Sequence, residues 1–183
     1  MTADRLILVR SAATGATRRA AFPADEPLDP GGLRAAEALA GVLGRVETAW
    51  ASPARRAAMT AATAGLTATA DPELAVPERP GWAGLTLGEV ADRDPDGLRA
   101  WLDDPDPGGR LRARVASVLA RAHDRSGTTV AVTHAAWVRT AVLEALDAPP
   151  AAFWRVDVAP ASRTVLHRRD HGWALARVNW TAG

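Results

Sequence analysis

Apolar positions along the chain fall into two kinds of run, short and continuous or spaced at helical intervals, and the two kinds alternate. Leu6-Ile7-Leu8-Val9 is a continuous apolar run and predicts a strand buried on both faces of a parallel sheet. The chain from Arg10 to Pro30 shows no periodic apolar face and reads as a long loop, a length that usually carries function in a compact domain. Leu33 to Leu43 has helical spacing. Thr48 to Ala51 predicts a second strand. Ser52-Pro53 then supplies an N-cap residue followed by a proline at the first helical position, for a helix running to about Ala64 before Gly65.

Residues 71 to 84 are rich in proline and glycine, and Leu87 to Ala91, Pro95 to Leu102 and Leu111 to Ala122 follow as helices separated by Asp-Pro turns. Thr128 to Thr133 is an apolar, β-branched strand that runs directly into His134 and a helix with Trp137, Val138, Ala141, Val142, Ala145 and Leu146 along one side. Arg155 to Val158, Thr164 to His167 and Trp173 to Val178 predict three further strands, the last two joined as a hairpin through Asp170-His171-Gly172. Strands alternating with helices and closing on a hairpin predict an α/β fold: a three-layer α/β/α sandwich with a mostly parallel sheet, formed as one domain over residues 1–183.

Composition narrows the chemistry. There is no cysteine, which excludes a disulfide framework, a thiolate metal centre and a cysteine nucleophile. At 183 residues the chain can bury about 70% of its unfolded surface without such staples. Basic and acidic residues balance at 22 against 21, aromatics are 5%, and the arginines are scattered, so no nucleic-acid partner is expected. The N-terminus has no charged-then-apolar leader and Ala57 to Ala70 is too short and polar to span a bilayer, so no membrane partner and a cytoplasmic location are expected. Every basic residue is arginine, a planar and permanently charged fork that suits phosphate or carboxylate.

Three predicted strand ends carry polar groups: Arg10-Ser11, Ser52-Pro53-Ala54-Arg55-Arg56, and Thr133-His134. In open α/β sheets ligands bind beyond the carboxyl ends of the strands. If these strands are parallel, two arginines, a hydroxyl, an imidazole and a helix N-terminus converge as a small anion pocket. His123, His167 and His171 have no metal-ligand spacing with His134, and neither a metal nor a cofactor is expected. Trp137, three residues after His134, is placed to line the pocket.

The same residues resemble the histidine phosphatase superfamily, the phosphoglycerate-mutase-like proteins. Leu6 to Thr14 resembles that family's opening strand, which ends Arg-His-Gly. Pro27-Leu28-Asp29 resembles its Pro-Leu-Thr turn, and Ser52-Pro53 with Arg56-Ala57 and Thr60-Ala61 its Ser-Pro-Leu, Arg-Ala, Gln-Thr-Ala segment. Trp82-Ala83-Gly84 resembles its Trp-Glu-Gly, and Val132 to Ala136 its Val-Ser-His-Gly-Gly. The resemblance runs from Leu6 to about Asn179. It implies a histidine-phosphatase-like fold with Arg10 and Arg56 as phosphate forks, His134 as the family's second histidine and Thr17 where an asparagine often touches phosphate.

Three positions depart from the family pattern. Ser11 stands at the position of the nucleophilic histidine, and a serine hydroxyl needs an adjacent base to become a useful nucleophile. Val76 stands where a glutamate usually protonates the leaving oxygen; the nearest carboxylate, Glu78, is a weak candidate acid on a Pro77-Glu78-Arg79-Pro80 turn and reads first as a solvated turn residue. Arg110 follows Pro107-Gly108-Gly109 where the family has Glu-Ser. One reading is a pocket that binds a phosphorylated or other anionic small ligand, or a partner, without phosphohistidine chemistry. The other is an enzyme, a weak phosphomonoesterase or repurposed hydrolase or isomerase, working through His134 with or without Ser11. Self-association as a homodimer stays open.

Overall fold

A computed structural model describes residues 4–77 and 79–181. Its six-stranded sheet has the order β3-β2-β4-β1-β5-β6. The strands are β1 (Arg5–Arg10), β2 (Thr48–Ala51), β3 (Thr69–Ala70), β4 (Thr128–Thr133), β5 (Arg163–Arg169) and β6 (Gly172–Trp180). β3, β2, β4 and β1 pair in parallel, whereas β5 runs antiparallel to β1 and β6 antiparallel to β5. The sheet is therefore mixed, with the parallel part at one side and the hairpin at the other.

The helices are α1 (Gly15–Arg18), α2 (Pro30–Leu43), α3 (Arg55–Thr63), α4 (Leu87–Arg93), α5 (Pro95–Asp103), α6 (Arg110–His123) and α7 (Ala135–Ala145). Alternation along β1 explains the layers. Leu6 and Leu8 point to one face and meet Val115, Val118 and Leu119 of α6 and Trp137, Val138 and Ala141 of α7. Ile7 and Val9 point to the other and meet Ala36, Leu39 and Leu43 of α2 and Ala57 and Ala61 of α3. A strand covered on both faces must be apolar throughout, which is why β1 and β4 read as continuous runs. A third, smaller cluster of Trp82, Val90 and Leu98, with Phe22, Leu85 and Trp101 against it, packs α4 and α5 together. Among the described residues no helix is long and apolar enough to cross a membrane.

Four expectations change. Residues 10–30 are not a featureless loop: Thr14 caps α1 with its side chain, and isolated bridges tie Thr14 to Leu28 and Ala21 to Thr86. Arg155 to Val158 is not a strand, because Pro150–Arg155 forms a 3₁₀ turn and the chain then passes irregularly into β5. The pair Thr69–Ala70 adds the short edge strand β3, too brief to show a pattern in sequence. Ser52 does not cap α3, whose N-cap is Ala54 with no side-chain bond of its own. The α3 amide of Arg55 is instead met by Asp25 Oδ1 at 2.7 Å, thirty residues upstream.

Candidate anion-binding site

Parallel pairing brings three strand ends to one edge. Arg10 lies opposite Thr133 in the β1–β4 register and Ala51 opposite Val132 in the β2–β4 register. The residues that follow stay hydrogen-bonded across the sheet, Ser11 N to Thr133 O at 2.8 Å and Ser52 N to Val132 O at 2.9 Å. Ser11, Ser52 and His134 therefore emerge side by side at the carboxyl ends of three adjacent strands, and all three are buried.

His134 begins α7 from the N-cap position but gives its side chain to the site rather than to the helix. Its Nε2 lies 2.8 Å from Ser52 Oγ. Burial first, then the positive charges of Arg56 and Arg10, push the imidazole down to about 3, so the ring is neutral at physiological pH. Arg10 donates from Nη1 to Val158 O. Its own pKa falls to about 10 through burial and the neighbouring Arg139, with Asp157 acting in the opposite sense and Arg56 adding to the depression. Two guanidinium groups, on β1 and α3, thus act on one neutral imidazole, and a third, Arg139 on α7, acts on Arg10.

The site is held by contacts that reach between elements. Thr60 on α3 accepts the Ala12 N–H at 3.0 Å and donates to Arg56 O at 2.6 Å, linking the loop after β1 to the helix that carries Arg56. Thr17, expected at the site, is used locally: its hydroxyl completes the capping box with Thr14. Thr14 in turn donates to Glu26 Oε1 at 2.5 Å. Although burial opposes it, the bonds from Thr14 and the Ala24 N–H and the charge of Arg56 hold the Glu26 carboxyl below its ordinary value.

Of the residues singled out in the sequence, Arg10, Ser11, Arg56 and His134 gather here. Glu78 lies outside the described residues. Trp137 does not line the pocket: it is fully buried and donates from Nε1 to Glu73 O at 3.0 Å. Three residues escaped the sequence reading, while Ser52, placed at a strand end by the sequence, was expected there as a helix cap. Glu26 and Asp157 sit in loops with no pattern to mark them. Arg139 did leave a signal, a charge among the apolar positions of α7; it donates from Nε to Val156 O at 2.9 Å, and its guanidinium lies over Phe153 and Trp154.

The sheet order, the mixed pairing and two arginines about a histidine at the strand ends correspond to a sequence-family match. The model of the histidine phosphatase superfamily (branch 1) matches residues 6–181. The chain belongs to this superfamily.

Among curated relatives, the bifunctional protein Rv2228c of Mycobacterium tuberculosis is 31% identical over 195 aligned positions, which take in 97% of this chain and 54% of that protein. The chain thus spans about half the length of the curated relative it matches. Among solved structures of the fold, Bacillus stearothermophilus YhfR superposes with a TM-score of 0.87 at 21% identity, covering 97% of each chain. A putative α-ribazole-5'-P phosphatase of Escherichia coli superposes with a TM-score of 0.85 at 21% identity, covering 99% of this chain and 98% of its own. At that identity the superpositions speak for the histidine-phosphatase fold.

Proposed function

We propose that this member of the superfamily binds the phosphoryl group of a small phosphate monoester between Arg10, Arg56 and His134 without forming a phosphohistidine. The observation that carries the reading is the buried His134, neutral and bonded to Ser52, under the joint charge of Arg56 and Arg10. Guanidinium forks supply charge-assisted bonds to phosphate oxygens, and a neutral imidazole beside them donates without adding a fixed charge.

The chemistry that would follow binding is what the chain lacks. Ser11 takes the position where relatives of this family carry the nucleophilic histidine. A serine there needs a base, and the His134 Nε2 that would serve is engaged by Ser52. Val76, at the family's acid position, packs against the apolar layer formed with α6 and α7. A carboxylic acid is thereby replaced by a side chain that cannot transfer a proton.

The competing reading is a hydrolase or isomerase that uses the same neutral His134, with or without Ser11. Hydrolysis of p-nitrophenyl phosphate between pH 4 and 8 separates the two. The parent chain and Ser11→His are compared with His134→Ala, and inorganic phosphate binding is followed by calorimetry in the parent and in Arg56→Ala. Expected are phosphate binding that Arg56→Ala weakens and no turnover in the parent. Turnover that vanishes with His134→Ala establishes the enzyme instead, and absence of phosphate affinity removes the pocket.

A further inference from the structure

One carboxylate, Glu26, both feels the charge of Arg56 and lines a cleft of its own. Asp25 holds residues 24–26 against the start of α3 through the Arg55 N–H. Glu26 follows, and the charge of Arg56 acts on it. Its carboxylate accepts from Thr14 Oγ1 at 2.5 Å on Oε1, from the Ala24 N–H at 2.7 Å on Oε2, and from its own backbone N–H. A carboxylate offers about four acceptor positions, so acceptor capacity remains.

Glu26 lines an open cleft of about 370 Å³ whose walls also include Gly15, Ala16, Arg19, Leu28 and Asp29. That volume lies within the range of small-molecule sites, at its lower end. The other charges at the wall are already engaged or exposed. Asp29 pairs with Arg18 at 2.5 Å and caps α2 through the Gly32 N–H at 2.7 Å. Arg19 is exposed and within electrostatic reach of Glu89, so solvent and salt screen it. Glu26 is half-buried and, among the described residues of the wall, has no cationic partner, so its charge faces the cleft.

We propose that Glu26 selects the alcohol half of the bound monoester, accepting a hydrogen bond from an ammonium or hydroxyl group seated in this cleft and repelling a carboxylate there. The inference rests on the phosphate reading of the Arg10, Arg56 and His134 pocket and adds a substrate class to it. Phosphomonoesters of amino alcohols and polyols fit the cleft; those of hydroxy acids do not.

The test is calorimetry on the full chain with four probes: inorganic phosphate, ethanolamine phosphate, glycerol 1-phosphate and phosphoglycolate. Expected is binding in the order ethanolamine phosphate, glycerol 1-phosphate, phosphoglycolate, with about tenfold between first and last, the scale of one charge-assisted hydrogen bond. Glu26→Gln keeps an acceptor for Thr14 and removes the charge. It is expected to narrow the spread between the first and last probes to about threefold or less, while anions as a group bind tighter because Arg56 loses an opposing charge. Equal affinity of the parent chain for ethanolamine phosphate and phosphoglycolate overturns the inference without any variant. So does a Glu26→Gln protein that shifts all four probes by one common factor, since Glu26 would then act only through Arg56. Failure of inorganic phosphate to bind the parent removes the phosphate reading itself, and the inference with it.

Discussion

At the scale of single residues, the site depends on an imidazole kept neutral by its surroundings. His134 is held down to about 3, by burial first and by Arg56 and Arg10 after it, whereas in the unfolded chain it titrates near 6.5. Between those values the unfolded chain carries a proton on this ring that the folded chain does not. Its contribution to stability is therefore complete above about pH 6.5 and is lost as pH falls toward 3. Urea denaturation of the parent and of His134→Gln at pH 7 and pH 5 should show the parent losing more stability on acidification than the variant. By NMR the His134 ring should remain unprotonated at pH 5, where exposed histidines are charged. A parent and variant that lose stability equally would mean that the ring is solvated in solution.

Ser52 is the second residue whose role is set by what it touches. It is fully buried, and its hydroxyl is the partner of His134 Nε2. Ser52→Ala leaves that buried nitrogen unpaired, and the expected cost is about 1–3 kcal/mol in urea denaturation. The same variant frees the ring, so any hydrolysis of p-nitrophenyl phosphate that appears in Ser52→Ala and not in the parent would show that Ser52 restrains His134.

At the scale of elements, the site is positioned by the places where loops touch helices. The loop after β1 crosses the first turn of α2 at Gly32, where a Cβ would lie 2.1 Å from Ala13 O and 3.0 Å from Ala13 C. That neighbour is backbone and cannot swing aside. Gly32→Ala must push α2 away from the loop that follows Arg10 and carries Ser11, at an expected cost of about 3 kcal/mol, and should weaken phosphate binding along with stability. Gly41, in the same helix, has open space around its Cβ position, so Gly41→Ala serves as the control and should be neutral or slightly stabilising. Equal effects of the two substitutions would mean that the crossing is looser than the structure has it.

At the scale of the whole molecule, the sheet converts positions far apart in sequence into one pocket, and ligand binding should therefore stabilise the entire fold. At a phosphate concentration a hundred times the Kd, binding adds about 2.7 kcal/mol. For a domain of this size that corresponds to a rise in Tm of about 5–10 °C. Thermal unfolding in phosphate against chloride at equal ionic strength should show this rise in the parent and a much smaller one in Arg10→Gln or Arg56→Gln. A rise that survives both substitutions would place the anion elsewhere on the surface.

The sequence by itself determined the longer strands and helices, though not α1 or β3, and the residues that stand at the ends of β1, β2 and β4. Those are local properties: a strand covered on both faces must be continuously apolar, as β1 and β4 are, and the residue that leaves it must turn polar. Arg10, Ser11, Arg56 and His134 were legible for that reason. Only the tertiary structure decided which of them touch. Ser52 looked like a helix cap because capping is the commonest local use of a Ser-Pro pair, and it was the alignment of β2 beside β4 that gave its hydroxyl to His134 instead. Asp25 and Glu26 lay in a stretch without periodicity, and their contacts with α3 and Thr14 exist because the loop folds back across the strand ends. Arg155 to Val158 had the composition of a strand, yet the adjacent 3₁₀ turn kept it out of the sheet. Hydrophobic periodicity reports the neighbours a residue has along its own element, whereas hydrogen bonds between side chains from different elements depend on how the sheet orders its strands, and no local pattern encodes that order.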